Sequence, residues 1–220
     1  MILIPIKNFE NSKQRLSSVL TPGQRIILAE TMLQDVLTAV SQLRDQIAVS
    51  IVTGDPKAEA LCRHYGLEII PEPDNRSETD AISMATSICV ARGIQGTLVI
   101  PGDVPLVTAE ELRLILNSAP MEGAVLVPAA DGRGTNAILR SPADLFPARF
   151  GNDSFKPHLE NAQATGKTVV VLRLPGIAVD VDSREDLATV LSAGNNTYTQ
   201  RLLRSWETSD GKLLREPAIA

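Results

Sequence analysis

The run Thr97-Leu98-Val99-Ile100, followed at once by Pro101-Gly102-Asp103-Val104-Pro105-Leu106, constrains this chain more than any other stretch. A short apolar run rich in β-branched residues suits a strand buried on both faces, as in a parallel sheet covered by helices. Pro101 and Gly102 stop the ladder, so the Asp103 carboxylate falls just past the strand's carboxyl end. Ligands bind there in open α/β sheets. A carboxylate in that place can hold magnesium, which prefers hard oxygen ligands and shares them with substrate phosphates. It could also cap the helix expected over Ala109–Asn117.

The 220 residues suffice for one good-sized α/β domain, or a domain with an appendage. Hydrophobic residues make up 44% and aromatic ones only 3%, so the core must be aliphatic. A net charge of −5 argues against a nucleic-acid partner, which calls for a basic face. It leaves room for a nucleotide held by a few local cations and a metal. Cys62 and Cys89 are far apart with no CxxC, which reads as two buried thiols. Met1–Pro5 is too short for a signal peptide and no apolar run reaches transmembrane length, so a soluble, cytoplasmic protein with no membrane partner is expected.

Elements alternate along the chain. Ile2–Ile6 reads as a buried strand. Thr21 and Pro22 open a helix as N-cap and first helical residue, and Ile26, Ala29, Met32, Leu33, Val36, Leu37 and Val40 recur at helical spacing. Gln46–Thr53 is a second strand, Ala58–Tyr65 a short helix stopped by Gly66, and Leu67–Ile70 an edge-like strand. Thr79–Arg92 is helical, with Ala81, Ile82, Ala85, Ile88 and Cys89 on one face. The order β-loop-α-β-α-β predicts right-handed crossovers and a mostly parallel sheet. Beyond Asp103 follow the helix Ala109–Asn117, the strands Gly123–Pro128 and Lys167–Leu174, and the helix Arg184–Leu191. Residues 1–192 read as one domain and 193–220 as a C-terminal extension. Within that extension Gln200–Trp206 is briefly amphipathic and Thr208–Ala220 reads as a loose tail.

Four loops carry the chemistry. Lys7-Asn8-Phe9-Glu10-Asn11-Ser12-Lys13-Gln14-Arg15-Leu16 holds three cations, and Lys7, Lys13 and Arg15 could converge on a polyphosphate. An ordinary solvated loop would look the same. Pro71–Glu78 is a polar loop entering a helix, a place for a base or ribose. Asp131-Gly132-Arg133-Gly134-Thr135-Asn136 could form an anion nest, its glycines letting the backbone approach a ligand, or could simply be a hairpin turn with Ala137–Leu139 returning. In Phe150-Gly151-Asn152-Asp153-Ser154-Phe155-Lys156-Pro157-His158, Gly151 frees the backbone and Ser154 can cap the helix running to Ala164. His158 is tempting as a general base, but a lone histidine in a first helical turn reads better as structural.

The run Ile177-Ala178-Val179 then delivers Asp180-Val181-Asp182-Ser183. In an extended segment residues two apart share a side, which pairs the Asp180 and Asp182 carboxylates. Ser183 with Asp186 has the spacing of a capping box. Asp182 could belong to the cap, yet with Asp103 the two make a plausible divalent-metal site.

Taken in order, Pro5-x-Lys7 with Lys13-x-Arg15-Leu16, Pro101–Leu106, Gly134-Thr135-Asn136, Phe150-Gly151-x-x-Ser154-Phe155-x-x-His158 and Asp180-Val181-Asp182 resemble the guanylyltransferases of deazaflavin-coenzyme biosynthesis. These act on 2-phospho-L-lactate, phosphoenolpyruvate or 3-phospho-D-glycerate, and the likeness covers roughly residues 1–190. It implies a three-layer α/β nucleotidyltransferase fold of the glycosyltransferase-A, Rossmann-like type. It also implies a homodimer, with GTP and a small phosphorylated carboxylic acid as partners. Magnesium would lie on Asp103, Asp180 and Asp182, and the GTP phosphates on Lys7, Lys13 and Arg15, the last two also acting in catalysis. The phospho-acid would contact Thr135, Asn136, Gly151 and Ser154. Where many members read Leu-Asn-x-Ala-Leu, this chain has Thr79-Asp80-Ala81-Ile82-Ser83, a departure that favours the 3-phospho-D-glycerate variant and leaves base recognition open.

Two other readings compete. A nucleotidyltransferase for a sugar phosphate or the molybdenum cofactor would show a glycine-rich loop after the first strand, where Lys7–Asn11 has none. A non-catalytic nucleotide-binding module on the same fold would not need Asp103, Asp180 and Asp182 all intact.

Overall fold

The computed structural model describes residues 1–74 and 77–207. Asn75 and Arg76 of the polar loop, and the stretch Thr208–Ala220 read above as a loose tail, lie outside the described residues.

Among these residues seven strands form one sheet, β1 (Ile2–Ile6), β2 (Val49–Thr53), β3 (Glu68–Pro71), β4 (Thr97–Val99), β5 (Gly123–Pro128), β6 (Thr135–Ser141) and β7 (Thr168–Val171). Their spatial order is β3-β2-β1-β4-β6-β5-β7. All neighbours pair in parallel except β6, which runs antiparallel to both β4 and β5. Residues 129–134 are therefore the turn of a β5–β6 hairpin, one of the two alternatives the sequence allowed, and Thr135 and Asn136 open β6. The order runs outward in both directions from the β1–β4 pair. That is the switch point at which an open sheet leaves a crevice beyond its strand ends.

Among the described residues seven α-helices cover the sheet, α1 (Pro22–Ser41), α2 (Pro56–His64), α3 (Glu78–Ala91), α4 (Ala109–Asn117), α5 (Phe155–Ala164), α6 (Arg184–Ser192) and α7 (Tyr198–Ser205). Alternation along the strands sorts the side chains into two cores. Ile2, Ile4, Ile51, Leu98, Val125 and Val127 pack with α1, α2, α4, α6 and α7. Leu3, Val52, Val99, Leu126 and Ile138 pack with α3 and α5 on the opposite face. The result is the three-layer, mostly parallel α/β architecture expected from the alternation of elements. Cys62 and Cys89 are both buried and free. Among the described residues no helix is long and apolar enough to cross a membrane.

Caps explain several boundaries. Thr21 and Gln24 form a reciprocal capping box at the start of α1, with Pro22 at its first position. Asp55 takes the N–H groups of Lys57 and Ala58, so α2 begins at Pro56 rather than at Ala58. Thr108, not Asp103, caps α4. Residues 46–48 lie in the turn after α1, so β2 is shorter than Gln46–Thr53 suggested. The Lys167–Leu174 strand likewise contracts to Thr168–Val171.

The C-terminal helix α7 joins the main core. Leu203 is buried there, and the α7 N-terminus is held by Asp35 of α1, whose carboxylate accepts from the N–H groups of Tyr198 (2.7 Å) and Thr199 (2.9 Å). Gln200 is fully buried and its amide donates to the carbonyls of Val190 and Ala193 at the end of α6.

Candidate active site

Asp103 leaves the end of β4 on a turn packed closely over Ile6. A Cβ at Gly102 would collide with Ile6 Cδ1 at the end of β1. The turn therefore lies directly over the β1 strand end. A second turn docks on it, with the Val181 N–H donating to the Asp103 carbonyl at 3.2 Å. This bond sets Asp180 and Asp182 on either side of the residue facing Asp103.

The stretch before Asp180 is a turn over residues 175–178, not the extended run that Ile177-Ala178-Val179 suggested. Three contacts impose it. Gly176 N–H donates to Glu111 of the α4 capping box at 2.7 Å, and Ala130 N–H donates to the Ala178 carbonyl at 2.8 Å. Asn136 Nδ2 lies within donating distance of Ile177 O (2.9 Å), Ala178 O (3.2 Å) and Asp180 Oδ1 (2.8 Å). Ser183 and Asp186 form the expected capping box, and Asp186 also accepts from the Asp182 N–H.

Lys13 joins the carboxylates. Its Nζ lies 2.5 Å from Asp103 Oδ2 and 2.9 Å from Asp182 Oδ1. The residue takes a left-handed backbone (φ 52°), uncommon outside glycine, which ends one short helical turn and starts the next. Burial pulls the ammonium's pKa down, but Asp103 and Asp182 more than offset this and leave it raised. Arg15 reaches Asp182 Oδ2 at 3.3 Å with one nitrogen and Asn152 Oδ1 at 3.2 Å with the other. It spans the opening and stays two-thirds exposed.

These groups surround a cavity of about 660 Å³. Its lining includes Arg15, Asp103, Asp180 and Asp182, together with Thr135 of β6 and Gly151 and Ser154 of the loop before α5, and Asn136 joins the two sets through its hydrogen bond to Asp180. The structure thus brings together nearly all the residues singled out from the sequence. Lys13 lies behind the carboxylates and does not line the cavity. Lys7, exposed after β1, does not line it either.

Glu78, the first residue of α3, was not singled out from the sequence and lines the cavity. Burial pushes its carboxyl up to about 7, the charges of Asp103 and Asp180 add to this, and Lys7 and Lys13 oppose it. Asp180 is likewise raised, first by burial, against the hydrogen bond from Asn136. Burial acts to raise Asp182 too, but Lys13 and Arg15 together hold it below the ordinary carboxylate range.

Ser154 stands at the N-cap of α5, yet its side chain does not cap the helix. Its Oγ accepts from the Thr135 N–H at 3.1 Å instead, tying the helix start to β6. Gly151, with φ of 139°, and the left-handed Asp153 shape the loop between them. Thr79 Oγ1 accepts from Phe150 N–H at 3.0 Å and lies 3.3 Å from the Phe150 carbonyl, fastening α3 to this loop.

The donor chemistry of the acidic wall fits a divalent hard cation. Asp103, Asp180 and Asp182 offer only carboxylate oxygens, and an ammonium already rests between two of them. Among the described residues no three or more His, Cys, Asp or Glu side chains converge as a metal-holding group. Magnesium does not need one, since it commonly takes one or two carboxylates and completes its shell with substrate phosphates and water.

Residues 1–211 match the family model described as guanylyl transferase CofC like. The chain is 33% identical over 204 residues to a phosphoenolpyruvate guanylyltransferase of Roseiflexus castenholzii, with 93% of each chain covered. It is 30% identical over 202 residues to a 2-phospho-L-lactate guanylyltransferase of Methanothermobacter thermautotrophicus, covering 92% of this chain and 88% of that one. A similar solved structure is a putative nucleotide-diphospho-sugar transferase from Desulfovibrio desulfuricans, with a TM-score of 0.75, 21% identity and 93% of each chain covered. A nucleotidyl transferase from the same Methanothermobacter species has a TM-score of 0.62 at 16% identity, covering 93% of this chain and 97% of that one. Both share the fold.

Proposed function

The chain belongs to the CofC-like guanylyl transferase family, and from that premise we propose that it transfers GMP from GTP to the phosphate of a three-carbon phospho-acid. The observation that carries the reading is the lining of the cavity. One part, with Asp103, Asp180, Asp182 and Arg15, suits a metal-bound triphosphate. Another, with Thr135, Gly151 and Ser154, suits a small anion held by hydroxyls and backbone. Relatives from two different organisms are named for phosphoenolpyruvate and 2-phospho-L-lactate, both three-carbon phospho-acids.

The chemistry asks little of the protein as a proton carrier. A phosphate oxygen of the acceptor attacks the α-phosphorus of GTP. A new oxygen–phosphorus bond forms, the bond to the bridging oxygen breaks, and pyrophosphate leaves with that electron pair. The nucleophile is already ionised at neutral pH, so no general base is required. His158 supports this by being fully buried and committed on both ring nitrogens. The difficulty is electrostatic, bringing two anions in line. Asp103, Asp180 and Asp182 would hold magnesium, which when bound offsets the phosphate charge and orients the α-phosphate. Arg15 would offset charge gathering on pyrophosphate by leaving Asn152 and Asp182 for a phosphate, and Lys13 would act from behind through the Asp103 and Asp182 carboxylates it holds.

Among the acceptors the reading favours 3-phospho-D-glycerate, in a deazaflavin-type coenzyme synthesis. The divergent stretch Thr79–Ser83 supports this, because Thr79 is bonded to Phe150 beside Gly151. Thr79 of that stretch therefore touches the loop that carries Gly151. The test is to incubate the protein with GTP, magnesium and each of the three phospho-acids, and to identify the adduct by mass. A GMP adduct with one acceptor is expected. Folded protein that forms no adduct with any of them would overturn the reading.

A further inference from the structure

His158 sits in the first turn of α5 with no exposed surface. Its Nε2 lies 2.8 Å from the backbone nitrogen of Arg149. A backbone N–H can only donate, so Nε2 must be the bare acceptor nitrogen and the ring proton must reside on Nδ1. Nδ1 lies 2.9 Å from Thr135 Oγ1 and therefore donates to it. Ser154 Oγ–H donates to the same oxygen at 3.3 Å. Both lone pairs of the Thr135 hydroxyl are then filled, and its own proton is left to donate elsewhere. Thr135 lines the cavity.

We propose that His158 is a positioning residue for the acceptor, one whose single tautomer makes the Thr135 hydroxyl a donor toward the acceptor's anionic group. It also fixes the backbone of the loop carrying Gly151 against β6, with Phe150 packed edge-on to its ring at 5.3 Å between centroids. The inference rests on the reading of this wall as the acceptor site. Burial and the charge of Arg140 push the imidazole down to about 4, in keeping with a ring that stays neutral. The order of events is local: Arg149 sets the tautomer, the tautomer sets Thr135, and Thr135 meets the substrate.

The first test is nitrogen NMR of the intact protein labelled at histidine. The chain has two histidines, and the other, His64, is exposed, so the two signals are separable. One ring is expected as pure Nδ1–H, unchanged down to about pH 5. An Nε2–H ring or a tautomer mixture at His158 overturns the proposal. The second test is kinetic, on His158→Gln, His158→Asn and Thr135→Val. Loss of one hydrogen bond corresponds to roughly tenfold in KM for the acceptor, with KM for GTP within about twofold. Thr135→Val and His158→Gln are each expected to show this, and the double variant no more than Thr135→Val alone. His158→Asn, whose amide falls near the place of Nδ1, recovers part of the loss. If Thr135→Val leaves the acceptor KM unchanged, the acceptor reading fails and this inference falls with it. If Thr135→Val raises it and a folded His158→Gln does not, only the role of His158 is refuted. Equal loss in both KM values and kcat would mark His158 as merely structural. Should the His158 variants not fold, the tautomer measurement decides alone.

Discussion

Val181 donates its backbone N–H to the carbonyl of Asp103 at 3.2 Å, and this bond assembles the acidic wall. The carboxylates come from two turns far apart in sequence, and neither turn has a reason of its own to face the other. Lys13 completes the join from a third segment, its ammonium between Asp103 and Asp182.

Replacing Lys13 by Gln leaves those two carboxylates without their cation. Breaking a fully buried pair costs about 3–5 kcal/mol. Here the aspartates are 31% and 42% exposed, so after solvent screening about 1–2 kcal/mol is expected. Turnover should fall by about 100-fold or more, because the two carboxylates lose the cation that places them. Magnesium should raise the melting temperature of Lys13→Gln more than that of the parent protein. Equal shifts would show that the cation does not bind at these carboxylates.

Gly102→Ala should act through Ile6. The added methyl meets Ile6 Cδ1, an overpacking expected to cost about 1–3 kcal/mol and to move the Asp103 turn. Ile6→Val removes that carbon, so the double variant should recover stability and activity relative to Gly102→Ala. Chemical denaturation of the four proteins checks this. A double variant no better than Gly102→Ala would mean that the glycine serves another purpose.

Much of this arrangement was legible in the sequence. The aliphatic run ending in Pro101-Gly102-Asp103 announced a strand end and its carboxylate, Asp180-Val181-Asp182 announced a carboxylate pair without the strand expected before it, and Thr21-Pro22 and Ser183 announced helix starts. What escaped was set by partners distant in the chain. Ile177–Val179 reads as extended by composition and is bent by Glu111 and Asn136. Ser154 reads as a cap and turns instead to Thr135. Glu78 looks like any acidic residue in a first helical turn, where the helix dipole favours one. Only the fold reveals the carboxylates it faces. Asp35 sits within the apolar pattern of α1 and gives no sign that it caps α7.

His158 and Glu78 give opposite pH signatures. His158 falls to about 4 from an ordinary 6.5, so the unfolded chain binds the extra proton between those values. Its contribution is full above pH 6.5 and is lost as pH falls toward 4, by up to about 3 kcal/mol. Glu78 rises to about 7 from 4.5, so the folded state holds the extra proton. Its contribution is full below pH 4.5 and is lost as pH rises toward 7, by an amount of similar order. Between pH 4.5 and 6.5 the two slopes nearly cancel. Difference profiles separate them: Glu78→Gln should gain stability over the parent as pH rises through this window, and His158→Gln should gain as it falls. Flat differences across the window would refute both assignments.

Asp35→Ala should loosen α7 without touching the chemistry. The N–H groups of Tyr198 and Thr199 lose their acceptor, a capping loss of about 1–2 kcal/mol. Asp35 lines no part of the cavity, so kcat at a temperature where the variant stays folded should be unchanged. A midpoint in urea equal to that of the parent would contradict the capping role.

The most direct measurement is pyrophosphate release with GTP, magnesium and the accepted phospho-acid, comparing the parent protein with Asp182→Asn. Asp182 touches Lys13 and Arg15 and belongs to the proposed metal-binding wall. Its loss should lower turnover by about 100-fold or more while the variant remains folded. A folded Asp182→Asn protein with near-normal release would contradict the assignment of this cavity as the place where GMP is transferred.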